Sequence, residues 1–363
     1  MKNLKSSAFG ILLAIAVIPL SACNPPLPPE LQAQLADNSI NCGSAPVTVA
    51  APGSLTPFLE YSSFEYSEFC PAAGTATIAQ DASSPADIFL TASPVAPTSC
   101  ESYLSVPMMT NGATIVTSLF GLDGLIFDPI TFSEVINGAV SSWSDPKIIA
   151  LNPQFEPIDL PIIVSTKISK ADAESIDSWL SRVAPDSWTG WPAGFEITDT
   201  EFDPNNLPPE LTQDGGLVFA PFWYVIQNSL QTVQMKVDPN LDAVPSAGDN
   251  IASGASQLVL DSDVDPAVVK VDSAREPLPI PGYDVALAPW QALTPYYAHA
   301  CVGAAEQDTK SFLRYLLRSS TQSSLPDFGY YGIPDEMRGK AIEMVSQGLP
   351  SPSPIAPDTA ATP

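Results

Sequence analysis

The sequence predicts an α/β protein in two lobes. Three observations carry this. Of 363 residues, roughly 300 remain between an apolar start and a Pro-rich end, enough for one large or two medium hydrophobic cores. Short β-type apolar runs alternate along the chain with capped amphipathic helices, the pattern of layered α/β folds. The stretch 130–153, ITFSEVINGAVSSWSDPKIIALNP, holds two complete helix units back to back.

The chain opens with Lys2 and Lys5 and an apolar run over 8–20, too short to cross a bilayer as a helix, so 1–22 reads as an export signal. Leu20-Ser21-Ala22-Cys23 resembles the bacterial lipobox, which implies that Cys23 becomes a lipidated first residue. Two or more acyl chains on one residue suffice for stable anchoring. The expected location is therefore the outer face of the bacterial cell membrane, held there by lipid. Residues 23–45, with NPPLPPELQAQ at their start, read as a linker.

Against 14 Lys+Arg stand 40 Asp+Glu, a net charge of −26. Such a surface repels nucleic acid and anionic head groups, which are bound through basic patches. Screening over about 8–10 Å still leaves a local pocket free to take an anion. Besides Cys23 there are four cysteines, Cys42, Cys70, Cys100 and Cys301, an even count that suits two disulfides in an exported chain. Three connectivities are open, of which Cys42 with Cys70 and Cys100 with Cys301 is favoured. Their spacing does not suit zinc, and His299 is the only histidine, so neither a metal nor another cofactor is expected.

Taken in order, 46–50 is a β run that leads through Gly53-Ser54-Leu55-Thr56-Pro57 into a helix ending near Phe69. A strand-to-helix turn of this type presents free N–H groups and hydroxyls, an anion site or simply a helix cap. Strands follow near 75–79 and 87–91, then apolar runs at 106–109 and 113–119. Within 130–153, Thr131 with Glu134 has the form of a capping box, Asn137-Gly138 stops that helix, and Ser144 or Asp145 caps a second one that has Pro146 at its first position. A strand at 160–164 leads to Ser169, which with Asp172 caps a helix running to about Val183. Residues 200–214 form a Pro- and acid-rich loop, and Gly215 to Ala220 is a strand with a short helix opening at Pro221. Between 237 and 271 the pattern is weak. An aromatic run at 290–297, amphipathic helices at 306–319 and 335–345, and a disordered tail from Leu349 complete the chain.

The segment 130–153 resembles the phosphate-specific solute-binding proteins of bacterial ABC importers, the PstS-like family. Thr131, Glu134, Gly138, Trp143, Asp145, Asn152 and Pro153 match in order. The close around Phe328-Gly329-Tyr330 and Ile333-Pro334 also resembles that family. The resemblance implies a two-lobed type II periplasmic-binding-protein-like fold with a hinge of crossing strands. It divides the chain into lobe I (46–115 and 281–348) and lobe II (116–280), followed by the tail 349–363. It implies ligand contacts from Gly53, Ser54, Thr56, Thr91, Thr166 and Lys170, a small anion such as phosphate as ligand, and an ABC permease as partner.

The ligand loops depart from the family. Ala92 stands where relatives place a carboxylate that reads the proton on hydrogen phosphate. Thr166 falls at the position of the family's Arg, and Lys170-Ala171-Asp172-Ala173 at its Ser-Gly-Thr-Ser, so the guanidinium fork is absent and a carboxylate has entered. The crossover helix after the strand near 79 is expected to be missing as well. Catalysis is not expected, because His299 has no Ser or Cys nucleophile at a recognisable elbow, and there is no P-loop or dinucleotide fingerprint. Two readings follow. One is a lipid-anchored solute-binding protein whose phosphate site is eroded; the other is a binding-fold lipoprotein turned to envelope interaction or to another ligand.

Overall fold

A computed structural model describes residues 28–79, 85–119, 122–261, 263–264, 266–280, 282–303 and 305–355. The expected signal segment and Cys23 lie outside them. The described chain begins with α1 (Pro29–Asp37) and β1 (Ser39–Ile40), where the sequence reads as linker. The ordering comes from residues some 300 positions away. Ala33 and Ala36 are buried, and Asp37 takes both terminal nitrogens of Arg338, at 2.8 and 3.1 Å. That guanidinium is only 4% exposed and would be costly to leave unpaired. Gly339 lets α1 approach so closely that any Cβ there would collide with the Pro29 carbonyl.

β2 (Thr48–Ala50) runs through a 3₁₀ turn (Gly53–Leu55) into α2 (Thr56–Phe69), with Pro57 in its first turn, where no N–H is missed. β3 (Thr77–Ala79) and β4 (Ile88–Thr91) lie on either side of β2 and parallel to it, and no helix lies between them among the described residues.

β5 (Ser102–Thr117) is one strand of 16 residues where the sequence shows two apolar runs. The polar interruption Thr110-Asn111-Gly112 does not break it, because each polar group finds a partner. Thr110 Oγ1 donates to Thr294 O at 3.0 Å. Asn111 Nδ2 donates to Gly329 O, and its Oδ1 accepts from Phe222 N at 2.8 Å. Gly112 leaves room for Ile251, whose Cδ1 would lie 2.6 Å from an added Cβ.

β6 (Ile126–Phe127) precedes α3 (Pro129–Ile136) and α4 (Pro146–Leu151). The cap of α3 is Asp128, which accepts from Thr131 N at 2.6 Å, and not Thr131 itself. An Asp cap followed by Pro at the first helical position outcompetes a start three residues later, and Glu134 is left to pair with Lys147. Asp145 caps α4 at Lys147 N, and Asn152 closes it by bonding both backbone groups of Ile126 at 2.8 Å. Trp143 between them is buried, its indole N–H donating to Gly215 O at 3.0 Å.

There follow β7 (Ile163–Val164), β8 (Lys167–Ser169), α5 (Lys170–Val183), β9 (Glu196–Thr198), β10 (Gly216–Pro221), α6 (Phe222–Asn228), β11 (Gln234–Met235), β12 (Val244–Pro245) and α7 (Gly248–Ala255). After β13 (Leu258–Asp261) and β14 (Val268–Val271) come β15 (Leu293–Cys301), α8 (Glu306–Leu316), α9 (Ser319–Gln322), β16 (Tyr331–Gly332), α10 (Asp335–Ser346) and β17 (Ser353–Pro354). The tail expected to be disordered from Leu349 is therefore paired: β17 lies antiparallel to β1, and Asn41 Nδ2 donates to Pro350 O at 2.8 Å. Residues 356–363 lie outside the described ones.

The main sheet has the order β3-β2-β4-β15-β5-β10-β7, with β16 also on β5. Its two ends are parallel pairs, and its middle is the antiparallel pair β5 and β15. β5 pairs with β15 along its first part and with β10 from Ala113 onward, so the same strand serves both halves of the sheet. Two disulfides close the loops, Cys42–Cys70 and Cys100–Cys301. Phe127, Phe132, Trp143 and Phe219 form an aromatic core on the β10 side, and Tyr66, Phe312 and Tyr315 form one on the β2 side.

Replacing Asn111 by Ala would orphan Phe222 N and Gly329 O inside the protein. The expected cost is about 2–4 kcal/mol in urea denaturation, whereas a loss below about 0.5 kcal/mol would mean that water reaches both groups.

Candidate functional site

The site is built at the start of α5. Ser169 caps that helix, accepting from Asp172 N at 3.1 Å while its hydroxyl donates to Asp172 Oδ2 at 2.7 Å. The other carboxylate oxygen, Oδ1, accepts from Thr294 Oγ1 on β15 at 3.1 Å. A buried carboxylate thus pins the helix start to the central strand.

A second carboxylate, Glu201, stands in the loop after β9. Its charge acts on Tyr296 on β15 and on Tyr330. The two tyrosine rings meet edge to face at 5.5 Å, and the Tyr330 hydroxyl bonds Ser54 Oγ at 2.7 Å. The β5–β15 register shifts between Tyr296 and Tyr297, a bulge of the kind that re-aims a side chain beside a functional site. Ser54, Tyr330, Tyr296 and Glu201 are thus brought into one neighbourhood, with Asp172 near enough to act on the three ionisable groups. Beside it lies a cavity of about 270 Å³. Its walls include Ser169, Thr198, Thr200, Glu201, Asp203 and Asn206, with Phe202 and Phe219 as apolar surface and the exposed Lys167 as a cation.

The residues singled out from sequence are distributed unevenly around this cleft. Ser54 accepts from the Tyr330 hydroxyl, and the exposed Gly53 and partly buried Thr56 flank it at the entry to α2. Thr91 turns to internal partners, donating to Ser93 O at 3.0 Å beside His299 Nε2 at 3.1 Å. Thr166 is exposed and its backbone carbonyl accepts from Glu196 N. Lys170 is exposed, sits 3.5 Å from Asp199, and does not line the cavity. The residues that sequence reasoning passed over are Glu201, Thr294, Tyr296 and Tyr330. Glu201 is one of 40 acidic residues in a loop with no local pattern, and β15 reads only as an aromatic run. Asp172 is legible in the sequence as the partner of Ser169 in the α5 cap. Among the described residues no cluster of His, Cys, Asp or Glu could hold a metal ion.

Burial sets the electrostatics. It pushes Asp172 up to about 6 against the opposing bonds from Ser169 and Thr294. It pushes Glu201 up to about 8, the charge of Asp172 adding to the effect. Both tyrosine hydroxyls are raised well above their ordinary value, burial first and the Glu201 charge second. The cleft therefore disfavours further negative charge.

No protein-family profile matches the chain. Curated phosphate-binding proteins of mycobacteria do resemble it. PstS3 of Mycobacterium bovis BCG is 25% identical over 253 residues, covering 67% of this chain and 66% of that protein. PstS 3 of Mycobacterium leprae is 23% identical over 242 residues, covering 65% and 64%. The match thus spans slightly under two thirds of these relatives' length. Among solved structures, the high-affinity periplasmic phosphate-binding protein PfluDING, bound with phosphate, has a TM-score of 0.56 at 12% identity, covering 85% of this chain and 99% of that one. The ancestral soluble variant of the human phosphate binding protein has a TM-score of 0.51 at 11% identity, covering 82% and 93%. The chain has the α/β fold of these periplasmic binding proteins.

Carboxyls raised by folding stabilise the native state fully below their unfolded values and lose that contribution as pH rises through the folded ones. Stability should therefore fall between about pH 4 and pH 8 from this pair. Glu201→Gln should flatten the fall and gain on the order of 2–4 kcal/mol at pH 8.5, read from melting curves across the range. Parallel pH profiles for wild type and variant would refute the assignment.

Proposed function

We propose that the chain is the extracytoplasmic solute-binding component of an ABC importer, exported and anchored by lipid at Cys23. In this reading 46–115 with 281–348 form one lobe, 116–280 the other, and β5 and β15 cross between them. The single observation that carries it is the cavity at the start of α5, walled by Ser169 and Glu201, with the Thr294–Asp172 bond tying that helix start to β15. Ligands of two-lobed binding folds are held where helix starts and crossing strands meet.

The curated relatives are named for phosphate, and their ligand comes to this chain with its principal contacts altered. Lys170 faces Asp199, Thr166 offers no charge, and the nearest fixed groups are carboxylates. Binding of a solute, rather than catalysis, is what the site supports, and phosphate is a poor fit to it.

Full-length protein extracted from its native membranes in mild detergent should bring a permease and an ATPase with it. Recovery of the protein alone, with both subunits present in the membrane, would overturn the importer reading and favour an envelope role. Cys23→Ser should shift the protein from the membrane fraction to the soluble exported fraction; an unchanged distribution would rule out the anchor.

A further inference from the structure

The cleft holds two buried or partly buried carboxylates, and no guanidinium or ammonium pairs with either among the described residues. Asp172 is satisfied by hydroxyls from Ser169 and Thr294, and Glu201 lines the cavity. Hydroxyls satisfy the lone pairs but leave the charge uncompensated, and an uncompensated buried charge is expensive. A proton can neutralise it, or a cation can. The cavity gives a cation somewhere to sit. Its wall exposes Glu201 and Asp203, with Asp172 behind Ser169, against the one lysine, Lys167, which is solvent-exposed. Phe202 and Phe219 add aromatic surface of the kind that attracts ammonium groups. A volume of about 270 Å³ has room for a small organic solute.

Resting on the solute-binding reading above, we infer that Glu201 is the specificity-determining residue of the cleft. It selects a small aliphatic solute bearing primary ammonium groups over an oxyanion. The ammonium donates to the Glu201 carboxylate in place of the proton, its alkyl part lies along Phe202 and Phe219, and Asp172 adds attraction through space. An oxyanion in the same position faces carboxylates on two sides.

The test is calorimetric titration of the full chain at pH 8.5 and low salt with three probes: 1,4-diaminobutane, its neutral isostere 1,4-butanediol, and inorganic phosphate. The diamine should bind and the diol and phosphate should not. Glu201→Gln should weaken the diamine at least tenfold, while Glu201→Asp, which keeps the charge, should retain part of the affinity. Melting curves establish that each variant is folded. Binding of phosphate or diol in place of the diamine would overturn the charge assignment and leave the solute-binding reading standing. Diamine binding that is unchanged in Glu201→Gln would overturn the role of Glu201. Heat from none of the probes would overturn the inference, and co-purification with the permease would then decide the importer reading on its own.

Discussion

The architecture depends on how one buried amide is satisfied. Asn111 lies in the middle of β5, where the strand stops pairing with β15 and starts pairing with β10. Its Oδ1 caps the first N–H of α6, a position whose own cap residue, Pro221, has no side-chain acceptor. Its Nδ2 holds the carbonyl of Gly329, which sits at φ +79° with Trp223 so close that a Cβ would come within 2.5 Å of its Cα. That turn is what aims Tyr330 at Ser54. A polar residue in a core strand thus orients the helix on one side and the Gly329-Tyr330 turn on the other, and an apolar one of similar size could do neither.

What was legible in the sequence was legible for local reasons. The caps of α4 and α5, and Pro57 in the first turn of α2, place those helices within a few residues, because the signals act within a single turn. α1 and β17 escaped because their order is lent by partners elsewhere: Arg338 for Asp37, and β1 for β17. β5 read as two strands because Thr110-Asn111-Gly112 looks like a break until Gly329, Phe222, Thr294 and Ile251 are known to surround it. The candidate site divides along the same line. Ser54 and Asp172 belong to helix starts and could be found, whereas Glu201, Tyr296 and Tyr330 come together only through the packing of β15 against a patternless loop.

The likeness to phosphate-binding proteins and the chemistry of the cleft point in different directions, and the fold explains how both can hold. The sheet order, the crossing strands and the helices over them depend on apolar burial and backbone pairing. The groups that face the cavity stand on short strands and loops around 167–169 and 198–208, whose side chains can change sign without disturbing the core. Asp172 carries both roles at once. Its carboxylate completes the α5 cap and ties the helix to Thr294, so a charge adverse to an anion stands at a structural position.

The union of α1 with α10 has a mechanical meaning. α1 is locked to α10 by the Asp37–Arg338 pair and the close approach at Gly339, β1 is locked to β17, and α10 lies against α8 and β5. A pull applied to the chain ahead of Pro29 is therefore borne by α10 and the strand pair. Tension applied there would load the α1–α10 and β1–β17 pairings first.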